Sequence, residues 1–316
     1  MYPSMNCLQY PYIYLSLSTS HLTKMRILSL VFILAFTGSI HAQPVASPDS
    51  TTLQRFEHLM ALAQQDTLYT RPFPEIMQRV AEYFLGTPYV AGLLDQPPQE
   101  TLICSLNGFD CVLFVESVLA LARGIALQDY SFSGFQRRIE EQRYRGGTMN
   151  GYCSRLHYFS EWIADNQKKG IVKDITRQLG GEPFPKQLNF MTTHRASYPR
   201  LQSDSLYACI QQMESRLQHL TLYYIPQDRI HTVYDRLQAG DILALTTSVE
   251  GLDVAHTALA YPQPNGSFGL IHASLSGTVK ISPDLQQYVE GVRIQNGVII
   301  VRPQDPRTSN SRSNHP

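Results

Sequence analysis

The sequence has 316 residues, 43% of them hydrophobic and 16% charged, with 26 basic side chains against 26 acidic ones. That length can bury one large core or two modest ones. A formal net charge of +0 gives no electrostatic drive towards nucleic acid or anionic lipid.

The N-terminal fifty residues read as processing sequence. In "KMRILSLVFILAFTGSIHAQP", Lys24 and Arg26 precede a short apolar stretch, and Ser39-Ile40-His41-Ala42 supplies a small-x-small exit. This is the pattern of a secretory signal peptide, too short to serve as a permanent membrane anchor. We expect translation to start at Met25, cleavage to follow Ala42, and residues 1–24 to come from a start assigned too far upstream. The mature protein is then exported, periplasmic or extracellular, with no stable membrane insertion. Residues 43–51 are expected to be a disordered linker, residues 52–303 one domain, and residues 304–316 a disordered tail.

Leu53, Phe56, Leu59, Met60 and Ala63 recur at helical spacing. A second helix is expected from Pro74 to Phe84, ended by Gly86 and Pro88 in "LGTPYV". The third, Cys111 to Arg123, is apolar on most of its circumference, interrupted only by Glu116, Ser117 and Arg123. Asp110 is placed to cap it, and Gly108 permits a tight approach. From about 130 to 236 the chain turns polar and is expected to form a helical insertion, with helices near 157–167 and 203–219. The last third holds five short apolar runs, 240–246, 255–261, 268–274, 278–282 and 297–303, separated by turn residues. These predict sequential antiparallel strands. Helices first and strands last make the fold α+β.

Export makes the cysteines informative. Cys7 lies in the upstream extension, which leaves Cys104, Cys111, Cys153 and Cys209. No C-x-x-C spacing is present, and the pairings 104–153, 104–209 and 153–209 all stay open. Cys111 differs from the others because it starts a helix. There the macrodipole stabilises a thiolate, and backbone N–H groups can hold an oxyanion. A nucleophilic thiol needs an imidazole beside it and a third group to orient that imidazole. His256 opens one predicted strand and His272 ends the next, so a hairpin would bring the two rings together. His256 follows Cys111 by 145 residues, the chain order of papain-like hydrolases. Zinc would also accept two histidines and a cysteine, but no tight ligand spacing accompanies them.

The motifs "LGTPYV" (85–90), "FDCVLFVE" (109–116), "SRLHYFSEWI" (154–163), "GDILAL" (240–245), "AHTALAY" (255–261) and "LIHAS" (270–274) follow one another in that order. In this the chain resembles the NlpC-type, papain-like cysteine hydrolases of bacterial cell walls. Within them it is most similar to an N-acetylmuramoyl-L-alanine amidase-like family. The resemblance implies a papain-like fold, with the nucleophile's helix packed on a C-terminal antiparallel sheet. It implies Cys111 as nucleophile, His256 as general base and His272 as the third polar member. Leu113 stands where the motif favours threonine, at a position pointing away from Cys111. The implied substrate is peptidoglycan or a muropeptide, cut between the lactyl group of N-acetylmuramic acid and L-alanine, with no metal or organic cofactor. Cleavage at the neighbouring D-glutamyl bond and a non-catalytic peptidoglycan-binding protein are the alternatives. Arg155 is a carboxylate binder by type, and Tyr89, Tyr144 and Tyr158 are further candidate substrate contacts. His157 and Cys153 are expected to have structural roles.

Overall fold

The computed structural model describes residues 45–309. The expectations for Cys7, the start at Met25 and the signal peptide fall outside that range. Among the described residues nine α-helices come in order: α1 (Ser50–Gln65), α2 (Phe73–Tyr83), α3 (Cys111–Ala126), α4 (Phe132–Arg143), α5 (Phe159–Lys168), α6 (Phe190–Thr193), α7 (Asp204–Leu217), α8 (Leu285–Glu290) and α9 (Pro306–Ser309). The strands are β1 (Val172–Asp174), β2 (Glu182–Pro183), β3 (Tyr223–Pro226), β4 (Ile242–Thr247), β5 (Val254–Pro262), β6 (Phe268–Ala273), β7 (Val279–Ser282) and β8 (Gln295–Pro303). No helix of the described residues is long and apolar enough to cross a membrane.

The strands form one antiparallel sheet in the order β2-β3-β8-β4-β5-β6-β7, with β1 also pairing to β8. The α+β expectation therefore holds. One detail differs from a simple succession of strands. The final strand returns to lie beside β4, so that β8 is central rather than an edge. Both sheet faces are covered, which is why these strands read as unbroken apolar runs. Ile242, Ala244, Leu259, Ile271 and Ile299 pack on the side of α1 to α5, whereas Leu243, Leu245, Ala258, Leu270 and Ile300 pack towards α8 and the turns of residues 227–236.

The polar middle is not wholly helical as expected. It contributes β1 and β3 to the same edge of β8. These strands are only three and four residues long. They form because β8 supplies the partner, a non-local condition that local composition does not show. The rest of this region packs a separate core around Tyr158, Phe190, Ile210 and Met213. A disulfide between Cys153 and Cys209 ties its first turn to α7. Cys104 stays outside that bridge, its thiol pushed up to about 12 by burial.

The described parts of the expected linker and tail, residues 45–51 and 304–309, make hydrogen bonds to the rest of the fold. Ala46 N–H donates to Leu102 O, and Asp49 caps α1 through Thr52 N–H at 2.9 Å. At the other end, Arg307 Nη1 donates to Tyr69 O at 2.7 Å and pairs with Asp305.

Candidate active site

α3 begins at Cys111 because Asp110, in extended conformation, accepts a hydrogen bond from Leu113 N–H at 2.8 Å. The chain reaches this point through a close crossing. A Cβ on Gly108 would lie 2.5 Å from Val90 Cγ2, so the glycine lets residues 88–90 run beside the helix start. Val90 N–H donates to Phe109 O and Phe109 N–H to Pro88 O. The same strap continues to the β6–β7 hairpin, where Tyr89 N–H donates to Gly277 O at 2.7 Å. It thereby links the segment that starts α3 to the turn that follows His272. α3 itself packs against β5 and β6, the strands that carry His256 and His272. Cys111 is buried at the first position of α3.

The register of β5 on β6 makes His272 the diagonal neighbour of His256. Their rings meet through His256 Nε2 and His272 Nδ1, 2.7 Å apart. On its far side, His272 Nε2 lies 3.2 Å from Ser282 Oγ, on β7. Burial pushes the His272 imidazole down to about 2, with His256 and Lys280 adding to the effect. His272 is therefore neutral at any physiological pH and carries one ring proton.

Tyr288 completes the cluster. Its ring stands 4.9 Å from His272 edge-on and 6.0 Å from His256. This residue was not singled out from the sequence, where nothing sets it apart from the other tyrosines of a polar helix. A recess beside His256 is lined by Ala255, Leu275, Tyr288, Val292, Ile294 and Gln295. Leu275, at 44% exposure, is one of few large apolar side chains left on the described surface.

The structure places three of the expected substrate contacts in buried surroundings. Arg155 is 3% exposed, and its Nη2 donates to Asp95 Oδ1 at 2.6 Å, with Glu100 at 3.7 Å. The guanidinium also covers the Tyr152 ring at 4.8 Å. Two carboxylates answer its charge, and it anchors the 93–100 loop through them. Tyr144 OH donates to Glu100 Oε1 at 2.8 Å, and Tyr158 OH to Glu214 Oε1 at 2.7 Å, both deep in the protein. Tyr89 is different, being only half-buried. His157 Nε2 lies 2.9 Å from Tyr152 O, and burial holds the ring well below the usual histidine range. Asp253 adds a support that sequence reading missed. It stands three residues before His256, wholly buried, and accepts from Ser160 N–H at 2.7 Å, capping α5 from the sheet. Among the described residues, no three His, Cys, Asp or Glu side chains form a metal-ligating group.

A sequence profile described as AmiA-like, N-acetylmuramoyl-L-alanine amidase-like, matches residues 79–297, more than half of the chain. The chain belongs to that family. Among solved structures it is similar to an N-acetylmuramoyl-L-alanine amidase from Bacteroides uniformis, 29% identical with a TM-score of 0.70, over 73% of this chain and 99% of that one. A candidate xylanase from Bacteroides fragilis is 33% identical with a TM-score of 0.65, over 71% and 99%. A Legionella pneumophila protein shares the fold at 21% identity and a TM-score of 0.59, over 80% of this chain and 96% of that one. A comparison with curated proteins gives no match.

The cap of α3 has a pH signature. Burial pushes the Asp110 carboxyl from 3.8 up to about 6, against the lowering effect of the Leu113 N–H. The folded state thus holds this proton more tightly than the unfolded chain. The resulting stability is fully present below pH 3.8 and is lost as pH rises through about 6. Asparagine caps equally well and carries no charge. Asp110→Asn should therefore gain stability on the order of 2 kcal/mol above pH 6 and nothing near pH 3. Urea midpoints at the two pH values test this, and equal gains at both would refute it.

Proposed function

We propose that this protein is an exported cell-wall hydrolase that cleaves the amide between the lactyl group of N-acetylmuramic acid and L-alanine through a thioester on Cys111. The observation that carries this reading is the His256–His272 pair, held at 2.7 Å on strands against which the Cys111 helix packs, in a chain of the amidase-like family. Helix, sheet and residue order suit a papain-like scaffold of the NlpC type. The Cys153–Cys209 disulfide supports export, because such bonds persist in oxidising compartments.

In the proposed reaction, His256 Nδ1 takes the Cys111 proton and the thiolate attacks the lactyl carbonyl carbon. N–H groups at the start of α3 hold the oxyanion. Asp110 already occupies that of Leu113, which leaves the role to the backbone of Cys111. The C–N bond breaks as His256 returns the proton to the alanine nitrogen. Water, giving a proton to His256, then displaces the thiolate from the thioester and frees the lactyl carboxylate. Neutral His272 holds His256 in the useful tautomer. Tyr89 is proposed to line the site. A glycosidase would instead need two carboxyl groups flanking the scissile bond, and a paired imidazole suits acyl transfer better.

Product analysis on defined muropeptides tests the assignment. Incubation of disaccharide-tetrapeptide with the protein should release free disaccharide and an intact tetrapeptide beginning with L-alanine, resolved by mass spectrometry. Release of a shortened peptide would instead identify the D-glutamyl specificity, and cleavage of xylan a glycosidase.

A further inference from the structure

The two hydrogen bonds of His272 cannot be assigned independently. A neutral imidazole has one N–H and one lone pair, and both of its nitrogens are engaged: Nδ1 with His256 Nε2 and Nε2 with Ser282 Oγ. If His272 carries its proton on Nδ1, it donates to His256 Nε2. The proton of a neutral His256 then sits on Nδ1, and the ring has no lone pair there. If His272 carries its proton on Nε2, the order reverses, and Nδ1 of His256 becomes a base. Choosing between these states requires a group at Nε2 of His272 that can accept. β7 provides one: its register sets Ser282 opposite Leu270 and Lys280 opposite His272, so Ser282 is the diagonal neighbour of the histidine. Lys280, the other polar side chain of β7, bears a positive charge and disfavours a second proton on the ring.

We propose that Ser282 is a positioning residue: its Oγ accepts the Nε2 proton of His272, so that His272 Nδ1 accepts from His256 Nε2 and the lone pair of His256 lies on Nδ1. The relay runs from β5 through β6 to β7, each hydrogen bond fixing the proton of the next ring. It rests on the proposed amidase reading only for its effect on rate. The proton positions are a property of the protein alone.

Nitrogen-15 NMR of the histidine rings in the full chain, with His272 assigned by the signals lost in His272→Gln, reads those positions directly. His272 should be protonated on Nε2 and His256 on Nε2. In Ser282→Ala the His272 signals should move towards the Nδ1–H form. Muropeptide cleavage should then fall about tenfold in kcat with KM unchanged, the effect of one lost hydrogen bond, and Ser282→Thr should restore both. His272 protonated on Nδ1 in the wild type, or Ser282→Ala with unchanged ring signals, would overturn the proposal. A wild type that leaves muropeptides intact would remove the amidase reading, while the ring signals would still decide the role of Ser282.

Discussion

Cys111→Ala protein is expected to cleave muropeptides at least ~10³-fold more slowly than the wild type while keeping its fold. The substitution removes one sulfur from a buried helix start whose cap, the Asp110 to Leu113 N–H bond, does not involve the thiol. Stability should change by about 1 kcal/mol, within the range for a small core truncation. A near-native thermal transition with lost activity is the diagnostic combination. His256→Ala should cost a similar factor, and the double variant little more than either alone, because thiol and imidazole act as a unit. Iodoacetamide supplies an independent reading. Alkylation of Cys111 should be fast near neutral pH and slow in His256→Ala, whereas a peptidoglycan-binding protein without catalysis would show no such dependence. Cleavage by Cys111→Ala at the wild-type rate would end the thioester mechanism.

The largest stability effect is expected at Arg143. On α3, Glu116 is buried within the apolar circumference, and its Oε2 accepts from Arg143 Nε at 2.7 Å. Trp162 Nε1 donates to the other oxygen at 3.1 Å, and Arg143 Nη1 donates to Ile103 O at 2.6 Å. Three helices, α3, α4 and α5, thus share one buried polar node. Arg143→Met leaves a carboxylate without its counter-charge and should destabilise the protein by about 3–5 kcal/mol. Adding Glu116→Leu should recover most of that loss, since an apolar pair of similar volume replaces a pair that was costly to desolvate. Urea unfolding of the two variants measures both steps. A loss below about 1 kcal/mol for Arg143→Met would show that the pair is solvated in solution.

Much of this architecture was legible in the sequence. α3 was expected from Cys111 to Arg123 and runs to Ala126, because its apolar residues repeat without a breaker. The proximity of His256 and His272 followed from a hairpin between two adjacent strands. What escaped was set by distant partners. α4 is a polar helix whose inward face is formed by Phe135, Ile139 and the aliphatic parts of Arg138 and Arg143, so its apolar signal is thin. β1 and β3 pair with β8, a partner set by distant sequence. Arg155 read as a carboxylate binder by type, and the carboxylates it meets within the protein, those of Asp95 and Glu100, lie 55 to 60 residues earlier in the chain. Residue type was readable there, and burial was not.

The central place of β8 bears on how the molecule is made. β4 ends at Thr247 and its partner ends at Pro303, the last strand to be synthesised. At ribosomal speed, that interval lasts on the order of several seconds. Until it closes, β4 presents a bare backbone edge with apolar side chains on both faces, a template for joining the wrong chain. Such a polypeptide stays unfinished until its final segment emerges, so its core is completed only once the last strand is available.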